Sequence, residues 1–172
     1  MEIRPLREDD DRSRFDSGDP DLDRFLRRYA GQNQFRHHIG TTYVAVVSGR
    51  IAGYATIAPG SLEIDEAPVS IRKGLPAYPL PILRLARLAT DRSTRGRGVG
   101  KGLLRAVFGL ALSMARDFGC AGVIVDSKQD SVGFYEKLGF LRLEVLEGEM
   151  ETRPRPVAMF LPIRDIEAAD PG

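Results

Sequence analysis

The chain has 172 residues, of which 42% are hydrophobic and 28% are charged, and its formal net charge is +1. These values are typical of one globular domain and predict no strong general attraction to nucleic acid. A single cysteine, Cys120, excludes a disulfide framework, and the cysteine and histidines do not have zinc-ligand spacing. The N-terminus lacks an apolar signal region, and no apolar run is long enough to span a membrane. We therefore expect a cytoplasmic protein without bound metal.

The first elements are predicted from local patterns. Ile3 to Leu6 indicates a short edge strand, and acidic residues 8–11 predict a helical stretch that ends at a turn over residues 16–18. Asp19 is a good N-cap and Pro20 a good first residue for a following helix. Four residues at helical spacing predict its apolar face: Leu22, Phe25, Leu26 and Tyr29.

The outer face of this helix continues into a basic run with aromatic residues nearby. It comprises Arg24, Arg27, Arg28, Arg36, His37 and His38. Two interpretations stay open, a solvated helix face or a surface for an acidic or nucleic-acid partner.

A hairpin follows, with strands at 43–47 and 51–57 joined by a turn at 48–50. Residues 59–81 contain five prolines and form a long connection, in which part of 64–71 is expected to be a short element.

The central pattern is a strand from Ile82 to Ala89, a glycine-rich stretch, a helix from Leu103 to near Gly119, and a strand at 123–125. Glycines at 96, 98, 100 and 102 would expose backbone N–H groups at a positive helix end, which predicts an anion site. A Walker A loop is excluded because Arg95 stands where its first glycine belongs. A dinucleotide fingerprint is excluded because its last position falls on Lys101 or Leu103.

The C-terminal part predicts a short helix over 131–138 that ends at Gly139. Strands are expected at 141–146 and 157–161, with a turn at 152–156 between them. A polar tail occupies 165–172.

Two motifs at this separation resemble the coenzyme A binding and C-terminal motifs of the Gcn5-related N-acetyltransferase (GNAT) superfamily. They are Arg95-x-x-Gly98-x-Gly100 and the run Gly-Phe-Tyr-Glu-Lys-Leu-Gly-Phe over 133–140. The resemblance implies an α/β fold with a mixed, mostly antiparallel central sheet, flanked by helices and splayed between two central parallel strands. It also implies a single N-acetyltransferase domain over 1–164 that uses acetyl-coenzyme A (acetyl-CoA).

The same resemblance implies site residues. The amides of 95–100 would bind the pyrophosphate, helped by nearby basic side chains, and the strand end would bind the pantetheine arm. The expected cofactor-binding residues are Leu88, Ala89, Thr90, Arg95, Gly96, Arg97, Gly98, Val99, Gly100, Lys101 and Lys128. The backbone N–H of Leu88 would also polarise the thioester carbonyl.

Tyr135 matches the tyrosine that family members use as a general acid toward the departing thiolate. The alternative is that it only packs in the core, although Phe134 is the better core candidate of the two. Many members carry an asparagine seven residues earlier, where this chain has Lys128. Lys128 would instead reach a phosphate.

The sequence offers no convincing general base. Glu63, Asp65 and Glu66 lie in the long connection, where solvated carboxylates are the ordinary case. Cys120 is disfavoured as a nucleophile because it stands between a helix end and a buried strand. A direct attack by a neutral amine is therefore expected.

A narrower resemblance is to the acetyltransferase toxins of bacterial toxin–antitoxin modules, which acetylate the α-amine of aminoacyl-tRNA. It depends on Phe15-x-Ser17-Gly18, Leu22-Asp23-x-Phe25-Leu26, Thr42-Tyr43-Val44, Gly53-Tyr54 and Arg87-Leu88-Ala89-x-Asp91. It implies an aminoacyl-tRNA substrate and a separate antitoxin protein. A small amine or protein amine as acceptor, a non-catalytic acetyl-CoA-binding domain, and a homodimer stay open.

Overall fold

The computed structural model describes residues 1–143 and 156–169. Within these ranges, seven strands form one mixed sheet in the order β1-β2-β3-β4-β5-β7-β6. The strands are β1 (Glu2–Pro5), β2 (Thr41–Val47), β3 (Arg50–Leu62), β4 (Leu80–Thr90), β5 (Gly122–Ser127), β6 (Leu141–Arg142) and β7 (Val157–Pro162). The helices are α1 (Pro20–Arg24), α2 (Val69–Arg72), α3 (Val99–Asp117), α4 (Val132–Lys137) and α5 (Ile163–Ile166). The predicted mixed, mostly antiparallel sheet is confirmed.

The chain divides into two compact units. Unit 1 comprises Met1–Ala58 and Leu85–Val107, and unit 2 comprises Pro59–Arg84 and the described chain from Phe108 onward. None of the helices in the described ranges is both long enough and apolar enough to cross a membrane.

In unit 1, β1 pairs with β2 and β2 pairs with β3, both antiparallel. The hairpin turn at Ser48 and Gly49 has φ values of 51° and 74°. This is the geometry of a two-residue turn that matches strand twist, so the predicted hairpin is confirmed. The prediction that β3 ends near Ile57 is wrong, because the strand continues through Pro59 to Leu62.

The helical segment after Asp19 begins as predicted. The Asp19 carboxylate accepts from the amides of Asp21 and Leu22. Beyond Arg24 the turns widen, and the Ala30 amide donates to the Phe25 carbonyl, five residues back. The wider turn places Ala30 at 1% exposure and Tyr29 at 47%, so the predicted apolar position of Tyr29 is wrong.

The helical stretch predicted after residues 8–11 is also wrong. The Asp10 carboxylate accepts from the Arg7 amide and from the Arg4 guanidinium, and the Asp11 carboxylate accepts from the Ser13 amide and hydroxyl. Such local side-chain bonds favour turns over helix. The apolar core of unit 1 comprises Leu6, Phe15, Phe25, Leu26, Ala30, Val44, Tyr54 and Ala89.

In unit 2, the first half of β4 runs parallel to β5. The Ala121 amide donates to the Pro81 carbonyl, and three residues further along β4 Arg84 pairs with Asp126 at 2.8 Å. β5 pairs antiparallel with β7, placing Ile124 opposite Phe160. The predicted splay further along β4 stays a prediction.

The remaining predictions for unit 2 have mixed outcomes. A single turn at Ile64–Glu66 and α2 provide the short element expected within 64–71. α4 ends before Gly139, whose φ is 98°, as predicted. The expected strand positions 144–146 and turn positions 152–155 lie outside the described residues. The polar tail is expected to begin at Asp165, but Asp165 and Ile166 belong to α5, and Ile166 is only 3% exposed.

Candidate active site

A glycine loop (residues 91–98) connects β4 to α3 in unit 1. Asp91 organises its first turn: the carboxylate accepts from the Ser93 amide and hydroxyl at 2.9 and 2.7 Å. The Asp91 amide donates to the Ala52 carbonyl at 2.8 Å, which anchors the loop to β3. Burial alone would raise the pKa of Asp91, but hydrogen bonds from Ser93 and the Asp16 amide lower it below its ordinary value. The carboxylate is therefore a charged, structural part of the loop.

The four glycines at positions 96, 98, 100 and 102 have different roles. Gly96 and Gly98 both have φ of 79°, and a Cβ on either would meet nothing within 4 Å. Only glycine adopts this backbone readily, and both residues are exposed. Gly100 and Gly102 already lie in α3, which begins at Val99 rather than at the predicted Leu103. The prediction of four loop glycines is therefore wrong.

Gly102 is explained by packing rather than by ligand binding. A Cβ there would lie 2.5 Å from Cε of Met1 and 3.3 Å from Cδ1 of Ile3, so Gly102 faces these two side chains. At Gly100 a Cβ would meet only Cγ2 of Thr90, at 3.6 Å. The surface next to Gly100 is consequently open.

The start of α3 has the features of a phosphate site. The Gly102 amide donates to the Gly98 carbonyl, and the amides before it have no acceptor inside the helix. They lie at the positive end of a 19-residue helix, directly after two glycines without side chains. This backbone therefore fits a pyrophosphate group.

Three basic side chains, Arg95, Arg97 and Lys101, lie in the glycine loop and the first turn of α3, each in a different environment. The Arg95 guanidinium donates to the Ser17 carbonyl at 2.7 Å. Arg97 lines a groove of about 160 Å³ together with Arg50 and the residues of the hairpin turn. Lys101 is exposed on the first turn of α3. All three keep positive charge near the start of the helix.

The strand end before the loop is partly accessible. Leu88 and Thr90 are half-buried, whereas Ala89 is 6% exposed and belongs to the core of unit 1. The cofactor contacts expected from their backbone groups stay predictions.

Several of the residues that carried the toxin resemblance contact one another around Tyr54 in unit 1. The Tyr54 hydroxyl donates to the Leu22 carbonyl at 2.7 Å, and the Tyr54 ring packs against Phe15 and Phe25. Burial raises the pKa of Tyr54. The guanidinium carbon of Arg87 lies 3.7 Å from the centroid of the Phe25 ring. The motif spacing alone did not predict these contacts, since they join residues far apart in sequence.

Tyr135 lies on α4 in unit 2 and is 7% exposed. Its ring contacts Phe134 and Phe140 edge-on, with centroid distances of 5.2 and 5.4 Å. Burial raises the pKa of Tyr135 to about 12. Phe134 is 39% exposed, so the prediction that Phe134 is the better core residue is wrong. A buried hydroxyl with this pKa stays protonated at neutral pH.

Other candidate residues of unit 2 lie in ordinary positions. Lys128 is exposed, and its carbonyl accepts from the Ser131 amide in the turn before α4. Cys120 is 7% exposed and burial raises its pKa, which opposes thiolate formation. Glu63 and Asp65 are exposed. In the described part of the chain, no group of three or more metal-ligating side chains occurs.

The predicted basic run is exposed in unit 1, at Arg24, Arg27, Arg28, Arg36, His37 and His38. Arg27 also donates to the Phe15 carbonyl at 2.6 Å, and Arg24 lies 3.4 Å from the Asp21 carboxylate. Arg84 is neutralised by Asp126 instead, so its contribution to a basic surface is small.

Residues 2–140 match the acetyltransferase (GNAT) family, and the chain belongs to that family. It is an N-acetyltransferase of this fold, as the resemblance of its two motifs implies. The chain is similar to a tRNA-acetylating toxin of Mycobacterium tuberculosis (strain ATCC 25618 / H37Rv), with 34% identity over 138 residues, 80% of this chain and 82% of the relative.

Two solved structures are similar over nearly the whole chain. The toxin AtaT complexed with acetyl-methionyl-tRNAfMet is 28% identical with a TM-score of 0.81, and 97% of each chain is covered. A mutant AtaT toxin bound to the C-terminus of the antitoxin AtaR and acetyl-CoA is 27% identical with a TM-score of 0.75, and the match covers 97% of this chain and 96% of that one.

Proposed function

We propose that the protein transfers the acetyl group of acetyl-CoA to the α-amine of aminoacyl-tRNA. The observation that supports this acceptor is the exposed basic run from Arg24 to His38, which lies in the same unit as the glycine loop. A tRNA presents a dense row of phosphates, and clustered arginines are the side chains that bind them. The similarity to a tRNA-acetylating toxin and to AtaT with an acetylated aminoacyl-tRNA supports the same acceptor.

Acetyl-CoA supplies an acetyl group that is activated as a thioester. The amides at the start of α3 would hold its pyrophosphate, and the main chain of 88–90 would hold its pantetheine arm. In both places the backbone would do the binding, so the proposal assigns no contact to the side chains of Leu88 and Val99. The N–H of Leu88 would orient and polarise the reacting carbonyl.

As the amine nitrogen bonds to the acetyl carbon and the C–S bond breaks, Tyr135 would donate a proton to the departing sulfur. The proton that the amine nitrogen loses would return to the Tyr135 oxygen, directly or through water. An ordinary thiol has a pKa of about 8.5, well below the value of about 12 for Tyr135. Burial also raises the pKa of a thiol, as it does for Cys120 in this chain. The difference in pKa between the Tyr135 phenol and the coenzyme A thiol is therefore smaller when the sulfur is desolvated. The raised pKa keeps the proton on Tyr135 until the thiolate forms.

The acceptor amine explains why no strong base is needed. An α-amine has a pKa of about 7.7 and is substantially neutral at physiological pH, whereas a lysine amine near 10.4 is almost wholly protonated. The exposed carboxylates of Glu63 and Asp65 are consistent with direct attack by an amine that is already neutral.

The test is acetyl transfer from labelled acetyl-CoA by the purified protein. The acceptors are charged tRNA, the same tRNA after deacylation, a polyamine, and a lysine-containing peptide. We expect label in charged tRNA alone. Label in the polyamine or peptide with none in charged tRNA would establish the small-amine or protein-amine alternative, and coenzyme A binding without transfer would establish a non-catalytic domain.

Three finer statements belong to the same proposal. A separate antitoxin is expected because the similar AtaT toxin binds AtaR, and a small DNA-binding protein encoded beside this chain should restore growth when the two are co-expressed. The proposed compartment is the cytoplasm, where charged tRNA is found. A single domain over 1–164 and a homodimer stay predictions, which limited proteolysis and light scattering test.

A further inference from the structure

The glycine loop is attached to a short segment far from it in sequence, the anchor segment (residues 16–18). The Asp16 amide donates to the Asp91 carboxylate at 3.0 Å, and the Arg92 amide donates to the Asp16 carbonyl at 2.9 Å. The Arg92 guanidinium donates to the Asp16 carboxylate at 2.6 Å, and the Arg95 guanidinium to the Ser17 carbonyl at 2.7 Å. These bonds hold the loop at both Arg92 and Arg95.

The anchor segment is itself fixed. The Ser17 hydroxyl and amide both donate to the buried carboxylate of Asp23, at 2.6 and 2.9 Å. The Gly18 amide donates to the Asp16 carboxylate at 2.9 Å. Gly18 has φ of 88°, and a Cβ there would lie 3.3 Å from Nη2 of Arg95. The segment therefore presents a rigid surface to the loop, with a glycine where the Arg95 guanidinium lies.

The position of this attachment matters for the loop. Arg95 is immediately followed by Gly96, and the two positive-φ glycines have no side chain to fix them. The far end is fixed where α3 begins. A backbone that binds phosphate by its amides must have both ends held, because each amide has to point at the ligand.

We infer that Asp16 and Arg92 are positioning residues for pyrophosphate binding by the glycine loop. The inference rests on the proposed use of acetyl-CoA. The Arg92 guanidinium is directed to the Asp16 carboxylate, so in this inference the pair acts by fixing the loop backbone; its side chains are half-exposed, at 48% for Asp16 and 58% for Arg92. A surface ion pair of this kind adds little to folding stability, so its loss should change binding without unfolding the protein.

The test uses Asp16→Asn, which keeps an oxygen for the Gly18 amide but removes the charge that holds Arg92, and Arg92→Ala. The matched control is Asp21→Ala, which removes another exposed ion pair of this unit, between Asp21 and Arg24 at 3.4 Å. Coenzyme A affinity is measured by calorimetry without any acceptor. We expect each variant to weaken the affinity by about fivefold, the double variant to be no worse than either single one, and the control to match wild type.

A second readout separates positioning from general damage. Acetyl-pantetheine lacks the pyrophosphate, so its kcat/KM should be unchanged in Asp16→Asn while that of acetyl-CoA falls. Arg92→Lys should restore part of the loss. Equal coenzyme A affinity in wild type and both variants, or an equal fall with both acyl donors, would overturn the inference. Failure of the wild-type protein itself to bind coenzyme A would instead overturn the proposed function.

Discussion

The glycine loop of unit 1 is held by polar contacts, whereas Tyr135 of unit 2 is surrounded by aromatic rings. In the loop, carboxylates and guanidinium groups fix the backbone on either side of Arg92 and Arg95, ahead of the two exposed glycines that we propose to lie against the pyrophosphate. Around Tyr135, Phe134 and Phe140 contact the ring edge-on, and burial raises the pKa of the hydroxyl to about 12. The loop that we propose to bind a charged group is thus supported by charged side chains, whereas the proposed proton donor is supported by apolar burial.

The largest expected effect concerns Tyr135, the residue enclosed by apolar side chains. Tyr135→Phe removes the proton donor but keeps the ring that packs on Phe140. Because general acids contribute roughly 10²- to 10⁴-fold, kcat should fall by at least about a hundredfold while KM for acetyl-CoA stays constant. Steady-state kinetics with charged tRNA gives both values.

The control for that variant is Phe134→Leu. Phe134 is 39% exposed and touches the Tyr135 ring edge-on, so the change removes an aromatic neighbour and leaves the hydroxyl in place. Its kcat should stay near that of wild type. An active Tyr135→Phe enzyme would remove Tyr135 from the reaction.

The next effect is on the loop. Gly98→Ala forces a side chain onto a backbone with φ of 79°, so the loop must rearrange. We expect about a tenfold rise in KM for acetyl-CoA, since a displaced amide loses its phosphate contact. Gly49→Ala is the matched control, because its φ is 74° and its Cβ position is equally open. It should lower thermal stability by a similar amount and leave KM unchanged.

A smaller effect concerns the alkaline stability of unit 2. The unfolded chain loses the Tyr135 proton near pH 10, whereas the folded chain keeps it to about pH 12. Stability is therefore full below pH 10 and falls as the pH rises toward 12. Between pH 9 and 11 the wild type should lose about 1 kcal/mol more unfolding free energy than Tyr135→Phe. Denaturant titrations at both pH values measure this difference, and parallel losses would show that Tyr135 is solvated.

The smallest effect distinguishes two helical glycines. Gly100→Ala should raise the unfolding free energy by about 0.5 to 1 kcal/mol through helix propensity, yet raise KM for acetyl-CoA about threefold by crowding the open surface. The added methyl of Gly102→Ala would meet only the flexible ends of the Met1 and Ile3 side chains, so KM should be unchanged. An unchanged KM in both variants would mean that the ligand does not approach Gly100.

Local sequence patterns predicted much of this fold. The hairpin at Ser48 and Gly49, the N-cap at Asp19 and the stop at Gly139 each depend on one residue type in one conformation. Short connections, such as the two residues between β2 and β3, then define where one element ends and the next begins. The glycine loop could be predicted for the same reason, because Gly96 and Gly98, which need positive φ, stand at a fixed spacing directly before a helix.

The errors arise where distant residues decide local structure. Tyr29 is exposed because the helix widens after Arg24, which a period of 3.6 cannot anticipate. The spacing of Gly102 indicates a loop glycine, since the contact with Met1 joins two ends of a long stretch of chain. The Phe15-x-Ser17-Gly18 pattern likewise does not predict the bonds of the anchor segment to Asp91, Arg92 and Arg95. Polar contacts between separate loops leave no periodic signal.

The most direct measurement is the chemical position of the transferred acetyl group. Charged tRNA is incubated with the protein and acetyl-CoA, digested with nuclease, and the terminal aminoacyl-adenosine is analysed by mass spectrometry. We predict one added acetyl group on the amino nitrogen of the amino acid, greatly reduced in Tyr135→Phe. Unmodified aminoacyl-adenosine from a protein that binds coenzyme A, or an acetyl group on the nucleotide instead, would contradict the proposal.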